Sequence, residues 1–99
     1  MFECPVCEFV GLRRQPYAIW PPPEGLAITP PYMEWLGEAT YEVCPMCAFE
    51  FGNDDDPGVR EPTSFAEYRA EWEVRGRPVF RPADVAEANA TRAADARER

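Results

Sequence analysis

The chain contains no histidine, and all 10 of its basic residues are arginine, so lysine is absent too. Without His it lacks the commonest general base and cannot form a Cys₂His₂ metal site. With no Lys, and no cysteine beyond two C-P-x-C pairs, no nucleophile–base pair presents itself, and the chain reads as non-enzymatic. The arginine-only usage reads as a genomic bias rather than a functional one. Positive charge is scarce altogether: 10 Arg face 18 Asp and Glu, a net charge of −8 at pH 7. The imbalance is local. Residues 1–62 hold 11 acids and 3 arginines, whereas residues 63–99 hold 7 of each. Nucleic-acid binding rests on cations that neutralise phosphates, so this distribution argues against it. No apolar run is long enough to span a bilayer. The opening Met1-Phe2-Glu3-Cys4 has neither the basic nor the apolar region of a secretory signal, which points to the cytoplasm, where thiols stay reduced.

All four cysteines fall in Cys4-Pro5-Val6-Cys7 and Cys44-Pro45-Met46-Cys47. The flanks correspond as well, Glu8-Phe9-Val10-Gly11 after the first pair matching Ala48-Phe49-Glu50-Phe51-Gly52 after the second. Two residues between cysteines let both sulfurs face one point from a single tight turn, and proline presets φ at its second position. Two such turns face to face supply four thiolates, which suits one tetrahedral structural Zn²⁺ held by Cys4, Cys7, Cys44 and Cys47. Other chemistries use the same residues. Iron in a rubredoxin-like Fe(Cys)₄ site needs the same four sulfurs, although turns of that type usually carry Gly where this chain has Glu8 and Ala48. Two disulfides in any of three pairings would suit a secreted scaffold. A thioredoxin-like site also uses C-P-x-C, but as one reactive pair inside a βαβ unit.

Ninety-nine residues make one domain with a modest core, for which a metal staple is physically sensible. The expected fold is a small metal-stapled α+β domain. It pairs zinc-ribbon or rubredoxin-like knuckles with two short β-hairpins, a Pro-rich insert and a C-terminal helix. The domain is expected over residues 1–82. The Ala/Arg-rich tail, 83–99, should be helical or frayed, because Val85 is its only large apolar residue. One hairpin should wrap the first turn between Phe2 and Leu12, and the other should run from Thr40 to Phe51, with Val43, Phe49 and Phe51 on one face. Asn53–Gly58 reads as a solvated acidic turn; it lacks the twelfth-position Glu of an EF-hand. Ser64-Phe65-Ala66-Glu67 is a capping box for a helix (about 64–75) that ends with Gly76. Phe65, Tyr68 and Trp72 recur at i, i+3 and i+7, a stripe that should pack on the second hairpin with Val79 and Phe80 beside it. Arg69–Glu73 and Glu71–Arg75 should offset the like-charged pair Glu67–Glu71.

The insert, residues 15–40, carries six of the 12 prolines, all between Pro16 and Pro31. Trp20-Pro21-Pro22-Pro23 must be extended or polyproline-like. Thr29 reads as an N-cap, with Pro30 as the first helical residue and Ile28–Met33 as a staple, for a short turn over Tyr32–Leu36 that stops at Gly37. The insert is too apolar for a free linker. It should fold over the ribbon while leaving Trp20, Tyr32 or Trp35 as contacts for a protein partner or a second copy of the chain.

Tyr41-Glu42-Val43-Cys44-Pro45-Met46-Cys47-Ala48-Phe49-Glu50, with the Asp run that follows, resembles the small bacterial cysteine-rich proteins of the CPCC type. Residues 3–12 match that pattern loosely, and the capped helix is similar to segments downstream in those proteins. This chain differs at Ala48, where they have Gly, at Val6, where they often have Cys, and in its long insert. The resemblance implies a zinc-ribbon-like protein of uncharacterised function, with the four cysteines as ligands and no catalytic residue. Together these readings favour a structural-zinc protein-interaction module. Rubredoxin-like electron transfer is the alternative, and a nucleic-acid-binding ribbon is disfavoured by charge.

Overall fold

The computed structural model describes residues 1–97. The last two residues of the expected tail lie outside that range. Strands β1 (Phe2–Glu3) and β2 (Val10–Leu12) pair antiparallel, Phe2 opposite Leu12 and Glu3 opposite Val10, with an irregularity between. They bracket the first C-P-x-C turn as expected. The second turn has no such strands. Val43 and Glu50 form an isolated bridge, and the Phe51 N–H donates to Glu42 O at 3.2 Å. The chain bends away on both sides of this pairing, at Tyr41 (φ 60°) and Gly52 (φ 102°), so the expected second hairpin stops at one bridge.

The insert is held by a second short pairing. Tyr17 bridges Ala39, the Ala18 N–H donates to Glu38 O at 2.9 Å, and the Ile19 N–H donates to Leu36 O at 2.8 Å. Between these segments lies α1 (Met33–Leu36), which ends at Gly37. Its N-cap is Tyr32, without a side-chain capping bond, rather than Thr29. The later start has a steric cause. Pro31 pushes the residue before it out of the α region, so Pro30 cannot begin a helix.

Helix α2 (Phe65–Val74) begins as the sequence indicates. Ser64 Oγ accepts from the Glu67 N–H at 3.1 Å, and Glu67 Oε1 accepts from the Ser64 N–H at 3.4 Å. Gly76 follows the helix at φ 89°, a conformation glycine adopts without a Cβ penalty. Arg69–Glu73 pairs at 3.2 Å, but Glu73 takes Arg77 as its second partner, at 2.7 Å; Glu71–Arg75 is not among the ion pairs of the described residues. Val79 and Phe80 do not tuck in. The Phe80 and Arg81 N–H groups donate to Met46 O and Pro45 O, which fixes this link by its backbone and leaves Phe80 49% exposed, with the Arg81 guanidinium 5.0 Å from its ring centre.

The tail forms α3 (Pro82–Arg97), a 16-residue helix laid on β2. Val85 is buried and Ala88 packs on the core, while most of the rest is exposed. Gly11 makes this contact possible. A Cβ there would stand 2.9 Å from the Ala88 Cβ and 2.3 Å from the tip of the Phe9 ring. The core itself is largely aromatic. Tyr17 lies at its centre, with Trp20, Tyr32, Phe51 and Phe65 rings 6.1–6.3 Å away, and Tyr32 stacks on Phe65 at 3.9 Å.

Candidate metal centre

The two C-P-x-C turns have the same backbone. In the first, the Cys4 N–H donates to Phe9 O at 2.8 Å and the Glu8 N–H to Cys4 O at 2.9 Å. In the second, the Cys44 N–H donates to Phe49 O at 2.9 Å and the Ala48 N–H to Cys44 O at 2.8 Å. Glu8 and Ala48 share a φ of 70°. A left-handed residue just after the second cysteine closes the loop and turns both sulfurs inward. Glycine is the residue that adopts this conformation at least cost, yet neither turn has it.

The four sulfurs converge. Cys4 Sγ and Cys47 Sγ are 3.9 Å apart, Cys7 Sγ and Cys44 Sγ are 3.7 Å apart, and all four lie within 4.8 Å of one another. A regular tetrahedron of ligands at about 2.3 Å from a central ion has edges of about 3.8 Å, so these two pairs already stand at tetrahedral spacing. All four are free cysteines. The donor set therefore fits a single thiophilic cation, with Cys4, Cys7, Cys44 and Cys47 as the residues that could hold it. Cys4, Cys44 and Cys47 are buried, whereas Cys7 is only partly so.

Crowding splits the thiols. Hydrogen bonding to Cys44, then to Cys47 and Cys7, together with burial, pushes Cys4 far up, while the bond from Cys4 pulls Cys7 far down. Four adjacent sulfurs cannot all ionise unaided, and a bound cation would replace the shared protons. The Val6 N–H points at Cys4 Sγ, 3.4 Å away, and helps offset negative charge there.

Helix α2 ties the two turns together. Tyr68 donates its hydroxyl hydrogen to Cys47 O at 2.9 Å, and desolvation pushes the phenol up to about 12. Arg69 Nη1 donates to Val6 O at 3.3 Å and pairs with Glu8 at 3.2 Å. One turn of helix thus grips both halves of the site. The sequence marked Tyr68 as core and Arg69 as a surface pair; neither role signals a clamp, because the contacts span 21 and 63 positions. Phe65 and Tyr68 pack edge-on against Phe49, at 5.4 and 5.0 Å. Trp72 shares a cavity wall with Cys7 and Phe9 of the first turn and Met46 of the second.

The acidic turn also differs from its expected solvated form. Asp55 is 0% exposed; Oδ1 accepts from the Gly52 N–H at 2.7 Å and Oδ2 from the Tyr32 N–H at 3.1 Å. Nothing within Asp54-Asp55-Asp56 distinguishes the middle residue locally. Of the expected partner contacts, Tyr32 is 4% exposed and belongs to the core, because it stacks on Phe65 and its hydroxyl accepts from the Phe65 N–H at 3.1 Å. Trp20 is half-buried against Tyr17, and Trp35 is 41% exposed.

Among the described residues no helix is long and apolar enough to cross a membrane. A Bacillus subtilis (strain 168) protein described as "Uncharacterized protein YoaQ" is 26% identical over 98 residues, an alignment covering 87% of this chain and 69% of that protein. No family model matches the chain, and no solved structure does.

Proposed function

We propose that this chain is a non-enzymatic protein stapled by one structural zinc, and that it works as a protein-interaction module in the cytoplasm. The convergence of four Sγ atoms within 4.8 Å carries the metal part of the reading. Four thiolates fill a tetrahedral ion's coordination and leave no open position for a substrate, the pattern of structural rather than catalytic zinc. Free thiols suit a reducing compartment. The interaction part rests on the insert. Ile19 and Trp35 are exposed, Ile19 at the end of the short pairing of residues 17–19 with 36–39 and Trp35 just before its second segment. No basic residue occurs from Gln15 to Val59, so a partner with a basic, apolar segment would complement this face.

Elemental analysis of the purified protein should find about one zinc per chain, and Cys44→Ser should lose both metal and fold, because metal-binding energy is folding energy here. A red protein with a thiolate–iron spectrum would replace zinc by the rubredoxin-like reading. Cross-linking in the native host should recover a partner with the wild-type chain and lose it with Trp35→Ala. Self-association abolished by that variant would make a second copy the partner. Equal recovery by both chains would remove this face from the proposal.

A further inference from the structure

The four cysteines are not equally buried. Cys4, Cys44 and Cys47 are at most 2% exposed, whereas Cys7 is partly open and lines a cavity of about 460 Å³. Phe9, Met46 and Trp72 contribute apolar wall to that cavity, and Glu8, Arg77, Asn89 and Arg92 contribute polar surface. Neither guanidinium turns toward the sulfurs as a bonded partner: Arg77 is held by Glu73 at 2.7 Å, and Arg92 bonds to Asn89. The cavity therefore leaves Cys7 accessible to a small neutral reagent while the other three cysteines are covered. In the facing turn, Cys44 Sγ stands 3.7 Å from Cys7 Sγ.

We propose that Cys7 is an oxidation site for peroxides, with Cys44 as its resolving thiol. The Cys7 thiolate attacks one peroxide oxygen, the O–O bond breaks, and a sulfenic acid forms as hydroxide leaves. The Cys44 thiolate then attacks the Cys7 sulfur, the S–S bond forms, and a second hydroxide leaves. Two thiolates lose two electrons in total, and one peroxide gains them. Bond formation requires the sulfurs to close from 3.7 Å to about 2.05 Å. Two of the four donors are consumed, so a cation held by the set is released. Only this last consequence rests on the metal reading given above.

The test uses the full-length protein, with zinc measured by elemental analysis beforehand. Limiting iodoacetamide, followed by fragment mass spectrometry, should modify Cys7 about tenfold faster than any other cysteine, since reactivity follows exposure of the thiolate. Hydrogen peroxide should give a Cys7–Cys44 disulfide as its first product, in step with zinc appearing on a coloured chelator. Asn89→Trp, on the exposed surface of α3 beside the cavity, should narrow the entrance and slow both reactions without lowering Tm. Equal labelling of the four cysteines, a first disulfide joining Cys4 to Cys47, or an Asn89→Trp protein that reacts as fast as wild type would each overturn the proposal. If no metal is present at the start, the structural-zinc reading fails, while the order of labelling still decides whether Cys7 is the reactive sulfur.

Discussion

Ala48 and Glu8 sit where a Cβ is a liability. An L-residue in the left-handed region costs roughly 1–2 kcal/mol relative to the right-handed one. Glycine avoids that cost but gives back about 0.5–1 kcal/mol through greater freedom in the unfolded chain. Ala48→Gly is therefore expected to stabilise the protein by about 0.5–1 kcal/mol, raising Tm by a few degrees in calorimetry. A lower Tm would mean that the half-buried Ala48 methyl contributes more by packing than its backbone costs. Asp55 is the opposite case, a polar residue that the interior depends on. Asp55→Ala would strand the buried N–H groups of Gly52 and Tyr32, each costing about 1–3 kcal/mol. We expect a Tm drop of ten degrees or more, about 4–8 °C for each kcal/mol lost, with the four cysteines still able to take up metal at low temperature. An unchanged Tm would show that water replaces the carboxylate. Both residues mark a limit of reading from sequence. The C-P-x-C pairs announced the sulfur cluster because the spacing alone aims both sulfurs. Asp55 could not be separated from Asp54 and Asp56, because its role is fixed by Tyr32, which lies 23 positions away.

Elements whose start and stop are local were legible; those that depend on another part of the chain were not. Helix α2 has its capping box, its apolar stripe and its terminating glycine within thirteen residues, and it forms where these signals lie. Helix α1 starts later than Thr29 suggests, because the consecutive prolines outweigh the capping signal. The second hairpin shrank to one bridge because Gly52 is drawn inward by Asp55. Helix α3 looked unanchored, since its anchor lies partly in the other element: the bare Cα of Gly11 lets Ala88 approach. Gly11→Val should therefore push α3 off β2. Hydrogen exchange over residues 82–97 should accelerate strongly while α2 stays protected. If α3 exchange is unaltered, the helix is held by Val85 alone. Trp72 belongs to the same scale. It is 4% exposed and donates its indole N–H to Pro78 O at 2.9 Å, so it joins α2 to the link before α3. Trp72→Ala should cost about 3–5 kcal/mol, the usual range for removing a large buried aromatic. A small change in Tm would mean that the cavity beside Cys7 simply enlarges without strain.

At the scale of the molecule, the sulfur cluster and the aromatic core are two staples joined through α2. The insert, expected to be part interface, supplies the centre of the second: Tyr17, Tyr32 and Leu36 are buried, and Phe49, Phe51 and Phe65 close around them. This core has a particular weakness at high pH. Burial pushes the phenol of Tyr17 far above its ordinary 10.0, the negative Asp55 pushes it further, and its hydroxyl has no hydrogen-bond partner among the described residues. Tyr32 is also raised, by burial first; the bond from the Phe65 N–H opposes the shift and the Asp55 charge adds to it. In both cases the fold favours the neutral phenol, so the stability linked to it is complete below pH 10 and is lost as pH rises toward the folded values. An ionised Tyr17 would place a second negative charge beside Asp55 in a site with little solvent. Alkaline titration followed by phenolate absorbance should therefore show these two tyrosines ionising only with loss of the folded circular dichroism, in one cooperative step well above pH 10. Tyr17→Phe removes one titrating group and an unpartnered hydroxyl at nearly constant shape, so it should move that step to higher pH and leave stability at neutral pH equal or slightly higher. Smooth ionisation of all four tyrosines near their ordinary value, with the fold intact, would mean that water reaches the centre of the aromatic cluster and that the insert does not seal it.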